Sequence, residues 1–135
     1  MAFFNWDDRY SVGVKNIDSQ HQTLFAIVNE LHTAMLQGKA KNIAEPLLIK
    51  LIQYTQEHFS AEEKLLASVQ YPQLPGHHLL HTGLTQQVED FLVRFQSGER
   101  ALNINLLNFL QDWLTKHILS EDKKYGPWLN QHGIL

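Results

Sequence analysis

Hydrophobic residues recur every three or four positions along four stretches of the chain, a spacing that places side chains on one face of an α-helix. The pattern predicts four helices of roughly 18 to 25 residues. The four faces consist of His21, Leu24, Val28, Leu31 and Met35; Leu48, Leu51, Thr55, His58, Glu62 and Leu65; His77, His81, Leu84, Val88, Phe91 and Phe95; and Ile104 or Leu106 with Leu110, Trp113 and His117.

Capping and helix-breaking residues separate these stretches. Asp18 or Ser19 can cap the first helix, and Gly126-Pro127 is expected to stop the fourth. The other boundaries are Gly38, Asn42–Pro46, Pro72 to Gly76, and Ser97-Gly98. Short connections make neighbouring helices antiparallel, so we predict an all-α, up-down-up-down four-helix bundle. Residues 1–135 form one domain: an extended N-terminal arm (1–17), the bundle (18–122) and a C-terminal tail (123–135).

Composition and charge exclude several classes of protein. The net charge is −3 and no basic stripe is present, which argues against nucleic-acid binding. The absence of cysteine excludes disulfides, iron–sulfur clusters and thiol catalysis. No apolar run approaches the ~20 residues of a membrane span, and the N-terminus does not resemble a signal peptide. We therefore expect a cytoplasmic protein that does not span a membrane, and a monomer.

Polar residues occupy positions on the apolar faces where Leu or Val would be expected. His58 with Glu62, and His77 with His81, are each one helical turn apart. In an antiparallel bundle these four, together with His21 and His117, fall at one end of the core. Burying six unpaired polar groups would be very costly, and metal coordination removes that cost. Imidazoles with carboxylates suit a transition metal such as iron rather than calcium or magnesium.

Spacing alone leaves some assignments open. Asp122 lies five residues after His117, about 140° round an ideal helix, so it reaches the cluster only if the helix frays or widens. Glu121 is the alternative on helical phase. Glu63 and His78 are predicted to point away from the core, into solvent. His32 and His132 belong to no ligand pattern, and surface or groove positions are predicted for both.

Four segments resemble the hemerythrins, most closely the single-domain bacterial members: Asn-Ile-Asp-Ser-Gln-His (16–21), His-Phe-Ser-Ala-Glu-Glu (58–63), His-His-Leu-Leu-His (77–81) and Trp-Leu-Thr-Lys-His-Ile-Leu-Ser-Glu-Asp (113–122). The resemblance implies two iron ions (Fe2+/Fe3+) bridged by an oxo or hydroxo oxygen. It implies one iron on His77, His81 and His117 and the other on His21 and His58. It also implies that Glu62 and Asp122 bridge the two irons, which selects Asp122 over Glu121.

The implied ligand set suits reversible binding of dioxygen. Five histidines, two bridging carboxylates and a bridging oxygen leave one vacant position on two six-coordinate irons, beside His21 and His58. The expected function is an oxygen carrier, store or supplier to an oxygen-consuming client enzyme, and not an enzyme itself. The alternatives are an oxygen or redox sensor and a ferroxidase- or peroxidase-type enzyme. The residues expected to line the oxygen pocket are Leu24, Phe59, Trp113 and Leu114.

Overall fold

Four long helices form the body of the protein in a computed structural model that describes residues 4–37, 45–97 and 104–135, with only the backbone described for 104–106. The helices are α1 (Lys15–Leu36), α2 (Glu45–Ser68), α3 (Leu74–Gln96) and α4 (Ile104–Lys116), followed by a π-helical segment (His117–Asp122) and α5 (Lys123–Gln131). α1 packs against α2 and α4, and α2 packs against α3. The predicted all-α four-helix bundle is confirmed, and the described ranges contain no strand.

Some predicted boundaries lie outside the described residues, namely Gly38, the positions from Asn42 to Ala44, and Gly98; the side chains of Ile104 and Leu106 do so as well. At the end of α2 Leu66 is fully buried, whereas the predicted Leu65 is only partly buried. None of the helices that the structure describes is both long and apolar enough to cross a membrane.

The start of α1 differs from the prediction. The helix begins at Lys15, and its N-cap residue Val14 makes no side-chain capping bond. Asp18 lies inside the first turn, where its carboxylate accepts hydrogen bonds from Ser11 Oγ (2.6 Å) and the Val12 amide (2.8 Å). The side chain that we expected to cap the helix therefore attaches the N-terminal arm to it.

The predicted stop at Gly126-Pro127 is wrong, because α5 continues through both residues to Gln131. The glycine has another reason to be there. A Cβ atom on Gly126 would lie 2.2 Å from the carbonyl oxygen of Val12, so only glycine allows the arm to approach α5 this closely. Asn130 Nδ2 donates to the Gly13 carbonyl (3.1 Å) and Lys123 Nζ donates to the Arg9 carbonyl (3.0 Å), which completes the attachment.

Two apolar clusters fill the interior, one along the bundle and a smaller one at its end. The smaller cluster, called the end cluster below, consists of Val12, Val14, Ile17, Leu66, Tyr71, Tyr125 and Leu129. On α1, His21 separates Ile17 of the end cluster from Leu24 of the main cluster. A layer of buried polar side chains therefore lies between two apolar regions.

Candidate metal centre

All seven predicted ligands meet in this polar layer, and each is at most 6% exposed. α1 supplies His21, α2 supplies His58 and Glu62, α3 supplies His77 and His81, and the π-helical segment supplies His117 and Asp122. They form two groups of possible metal ligands, whose donor atoms lie within 4.8 Å of one another in each group. The groups are Glu62, His77, His81, His117 and Asp122, and His21, His58 and Glu62.

The two carboxylate oxygens of Glu62 face different histidines. Oε1 lies 2.7 Å from His77 Nε2 and 3.3 Å from His81 Nε2. Oε2 lies 3.1 Å from His58 Nε2 and 3.8 Å from His21 Nε2. The carboxylate thus stands between a group of three histidines and a group of two.

Asp122 repeats this arrangement. Its Oδ1 lies 2.9 Å from His117 Nε2 and 3.0 Å from His77 Nε2, whereas Oδ2 lies 3.1 Å from His21 Nε2. The π-helical segment makes this possible. Its wider turn holds one more residue, so Asp122 returns to the same side of the helix as His117. By contrast, the side chain of Glu121 is 37% exposed and lies 3.7 Å from Lys124.

Four buried polar atoms of the layer make no hydrogen bond of acceptable geometry among the described residues, although other polar atoms of the layer lie close to them. They are Nδ1 and Nε2 of His21 and both carboxylate oxygens of Asp122. Buried polar atoms are normally satisfied, because leaving them without a partner costs free energy. A metal ion that accepts lone pairs from His21 Nε2 and the Asp122 oxygens would satisfy three of these four atoms. The donor set of imidazoles and carboxylates fits transition metals.

The carboxylates alter the pKa values of the neighbouring histidines. Burial alone lowers the pKa of His21, but the adjoining carboxylates of Asp122 and Glu62 outweigh burial and raise it to about 9. The same balance raises the pKa of His77 to about 10. Burial dominates at His58 and lowers its pKa. The metal-free layer therefore holds protons on His21 and His77 at neutral pH.

The two buried acids remain ionised in this environment. Burial opposes ionisation of Glu62, yet the four histidines around it hold its pKa well below the ordinary value. Burial and the charge of Glu62 raise the pKa of Asp122, but His117 and His21 outweigh them and lower it. Both groups are therefore negatively charged oxygen donors, the form in which carboxylates bind metal ions.

Three residues outside the predicted set contact the ligands. Glu63, expected in solvent, is only 21% exposed; its carboxylate contacts Nδ1 of His81 (2.8 Å) and of His78 (2.6 Å). The Gln20 side-chain oxygen lies 2.5 Å from His58 Nδ1, and the Tyr125 hydroxyl donates to Glu62 Oε2 (2.9 Å). Each lies within three positions of a ligand in the sequence, but its partner is on another helix, which helix periodicity does not predict.

The remaining assignments concern histidines outside the layer and the predicted pocket. The side chain of His78 is 59% exposed, as expected from its phase. His132 is exposed too, with Nδ1 2.7 Å from the Trp128 carbonyl oxygen, while His32 is partly buried. Leu24, Phe59 and Leu114 are buried and Trp113 is partly buried.

Aromatic rings cover two ligands of the three-histidine group. The Phe59 ring stacks on His81 with centroids 3.6 Å apart, and the Trp113 ring stacks on His117 with centroids 4.4 Å apart. These rings limit the movement of the two imidazoles and separate them from solvent.

Comparison with known proteins places this architecture in a family. The family described as "Hemerythrin HHE cation binding domain" matches residues 12–129. A bacteriohemerythrin of Methylococcus capsulatus is 34% identical over 131 residues, which cover 96% of this chain and 99% of that protein. A myohemerythrin of Riftia pachyptila is 31% identical over 121 residues, with 89% and 88% covered. A crystal structure of wild-type hemerythrin has a TM-score of 0.88 at 33% identity, covering 93% of this chain and 97% of that one. The chain belongs to the hemerythrin family.

Proposed function

We propose that the seven side chains hold two iron ions and that the protein binds dioxygen reversibly, as a carrier, store or supplier to oxygen-consuming enzymes. One observation carries the proposal. Glu62 and Asp122 each present one oxygen to the three-histidine group and the other oxygen to the two-histidine group. This is the arrangement that a carboxylate needs in order to bridge two metal ions.

The unequal histidine groups give the two proposed positions different numbers of protein donors. His77, His81 and His117 with one oxygen from each carboxylate make five donors. His21 and His58 with the other two oxygens make four. The position beside His21 and His58 therefore has more room for a small ligand.

Reduced iron, if held by these residues, would supply the electrons that reversible dioxygen binding requires. The chain's contribution is to hold the ligands and keep water away. The end cluster and the main cluster cover the layer on both sides, and Phe59 and Trp113 cover His81 and His117. Exclusion of water supports reversible binding, since side reactions of a bound ligand need protons from solvent.

Two experiments, metal analysis followed by oxygenation, test the proposal. After anaerobic loading with Fe2+, we expect two irons per chain. Admission of air should produce a charge-transfer colour that disappears when oxygen is removed. Immediate and irreversible oxidation would contradict reversible binding and favour a sensor or an enzyme. A single zinc per chain would contradict the di-iron proposal altogether.

A further inference from the structure

Two histidines of the layer have partners of different charge at Nδ1, the ring nitrogen that does not face Glu62. Nδ1 of His81 contacts the Glu63 carboxylate at 2.8 Å, and Nδ1 of His58 contacts the Gln20 amide oxygen at 2.5 Å. In both rings the other nitrogen, Nε2, faces Glu62, at 3.3 Å and 3.1 Å. The two groups of proposed ligands therefore differ in the charge of an Nδ1 partner as well as in their number of histidines.

These contacts determine which ring nitrogen carries the proton. An oxygen acceptor beside Nδ1 requires an N–H there, which leaves the lone pair on Nε2 free to bind a metal. A carboxylate also makes the imidazole a stronger donor, and its negative charge stabilises a more positive metal ion. A neutral amide orients the ring without adding this charge.

We propose that Glu63 is a positioning residue of the metal centre, which directs Nε2 of His81 inward and places a negative charge beside the three-histidine group. Gln20 is its neutral counterpart behind His58. The inference rests on the proposed di-iron function and extends it. It predicts that Glu63 lowers the reduction potential of the centre, whereas Gln20 affects mainly geometry.

The second contact of Glu63 explains how its carboxylate is held. Oε1 binds His78 Nδ1 at 2.6 Å, while Oε2 binds His81. Glu63 is on α2 and both histidines are on α3, so the carboxylate also connects these helices. His78 therefore helps to hold the carboxylate beside His81, although its own side chain is 59% exposed.

Three variants separate charge from packing: Glu63→Gln, Gln20→Glu and, as a matched control, Glu30→Gln at an exposed position of α1 nine residues from His21. Each is loaded anaerobically with Fe2+, its iron content is measured, and its midpoint potential is determined by spectroscopically monitored titration. We expect Glu63→Gln to raise the potential and Gln20→Glu to lower it. Glu30→Gln, which removes the same charge far from the layer, should keep the potential of the unmodified chain. Glu63→Ala, which also removes the acceptor, should weaken iron binding about 10- to 100-fold.

The two shifts in opposite directions distinguish the inference from a structural role. A packing defect at either position would change the melting temperature without giving potentials that follow the sign of the introduced charge. An unchanged potential and iron affinity in Glu63→Gln would overturn the inference, as would a Glu30→Gln shift of equal size. Failure of the unmodified chain to bind two irons would instead overturn the proposed function, and this is measured first.

Discussion

Nε2 of His117 lies 2.9 Å from Oδ1 of Asp122, although the two residues are five positions apart. In an α-helix, five residues leave two side chains about 140° apart. The π-helical segment removes this mismatch. The Lys123 amide donates to the Ile118 carbonyl, five residues back, so the turn holds one residue more than usual. The wider turn brings the Asp122 carboxylate to the histidines, whereas a regular α-helix would direct it away from them.

This geometry predicts different consequences for two adjacent acids. Asp122→Asn keeps the size of the side chain but removes a negative charge from between the two histidine groups. We expect it to bind fewer than two irons per chain. Glu121→Gln, at a side chain that is 37% exposed, should still bind two. Iron analysis after anaerobic loading and desalting compares them, and equal stoichiometry would contradict a bridging role for Asp122.

Substitution of single histidines should distinguish the proposed ligands of the buried layer from histidines outside it. His117→Ala deletes one donor of the three-histidine group and the ring on which Trp113 stacks. We expect loss of iron or of the oxygenated colour. The exposed His78 offers the matched control, and His78→Ala should largely retain both. The absorption spectrum under air, with iron content, tests the pair; similar losses in both variants would contradict the assignment of the ligands.

Sequence periodicity predicts the parts of this structure that depend on a single helix. His58 with Glu62, and His77 with His81, follow from one-turn spacing, and the antiparallel order of helices brings them together. Asp122 could be assigned only through the family resemblance, because the π-helical turn has no distinct hydrophobic period. Glu63 was misplaced for a different reason. Its position on α2 directs it outward, but α3 lies close enough for His78 and His81 to reach it.

Gly126 and Gly83 should respond to alanine in opposite ways. A Cβ at Gly126 would meet the Val12 carbonyl at 2.2 Å, whereas a Cβ at Gly83 has no atom within 4 Å. We expect Gly126→Ala to lower the free energy of unfolding by about 1–3 kcal/mol through overpacking. Gly83→Ala in α3 should raise it by about 0.5–1 kcal/mol through higher helix propensity. Urea unfolding measures both changes, and destabilisation by Gly83→Ala would contradict the predicted gain from helix propensity.

The stability of the metal-free protein should depend on pH through two histidines. The pKa of His21 is raised to about 9 and that of His77 to about 10, so the folded state holds their protons more tightly than the unfolded chain does. Their stabilisation is fully present below the unfolded pKa of about 6.5 and is lost as the pH rises through the folded values. Urea unfolding of metal-free protein should therefore show stability that decreases from about pH 6.5 to about pH 10.

The iron-loaded protein provides the comparison. Metal ions replace the protons on these nitrogens, so the loaded form should lack this loss of stability. Loading the metal-free protein at neutral pH should also release protons, which an indicator dye in weak buffer detects. Constant stability of the metal-free form over this range, without proton release, would contradict the pKa values of His21 and His77.

The end cluster joins segments that are far apart in the sequence, since Val12, Val14 and Ile17 pack with Tyr125 and Leu129. A ribosome makes the chain in sequence order, so Asp122 is the last of the seven ligands to be synthesised and α5 follows it. Until α5 has formed, Tyr125 and Leu129 are missing from the cover of the layer on this side, and Asp122 lacks the helix that follows it. The proposed metal insertion is therefore expected to be a late step in biosynthesis, after translation of α5.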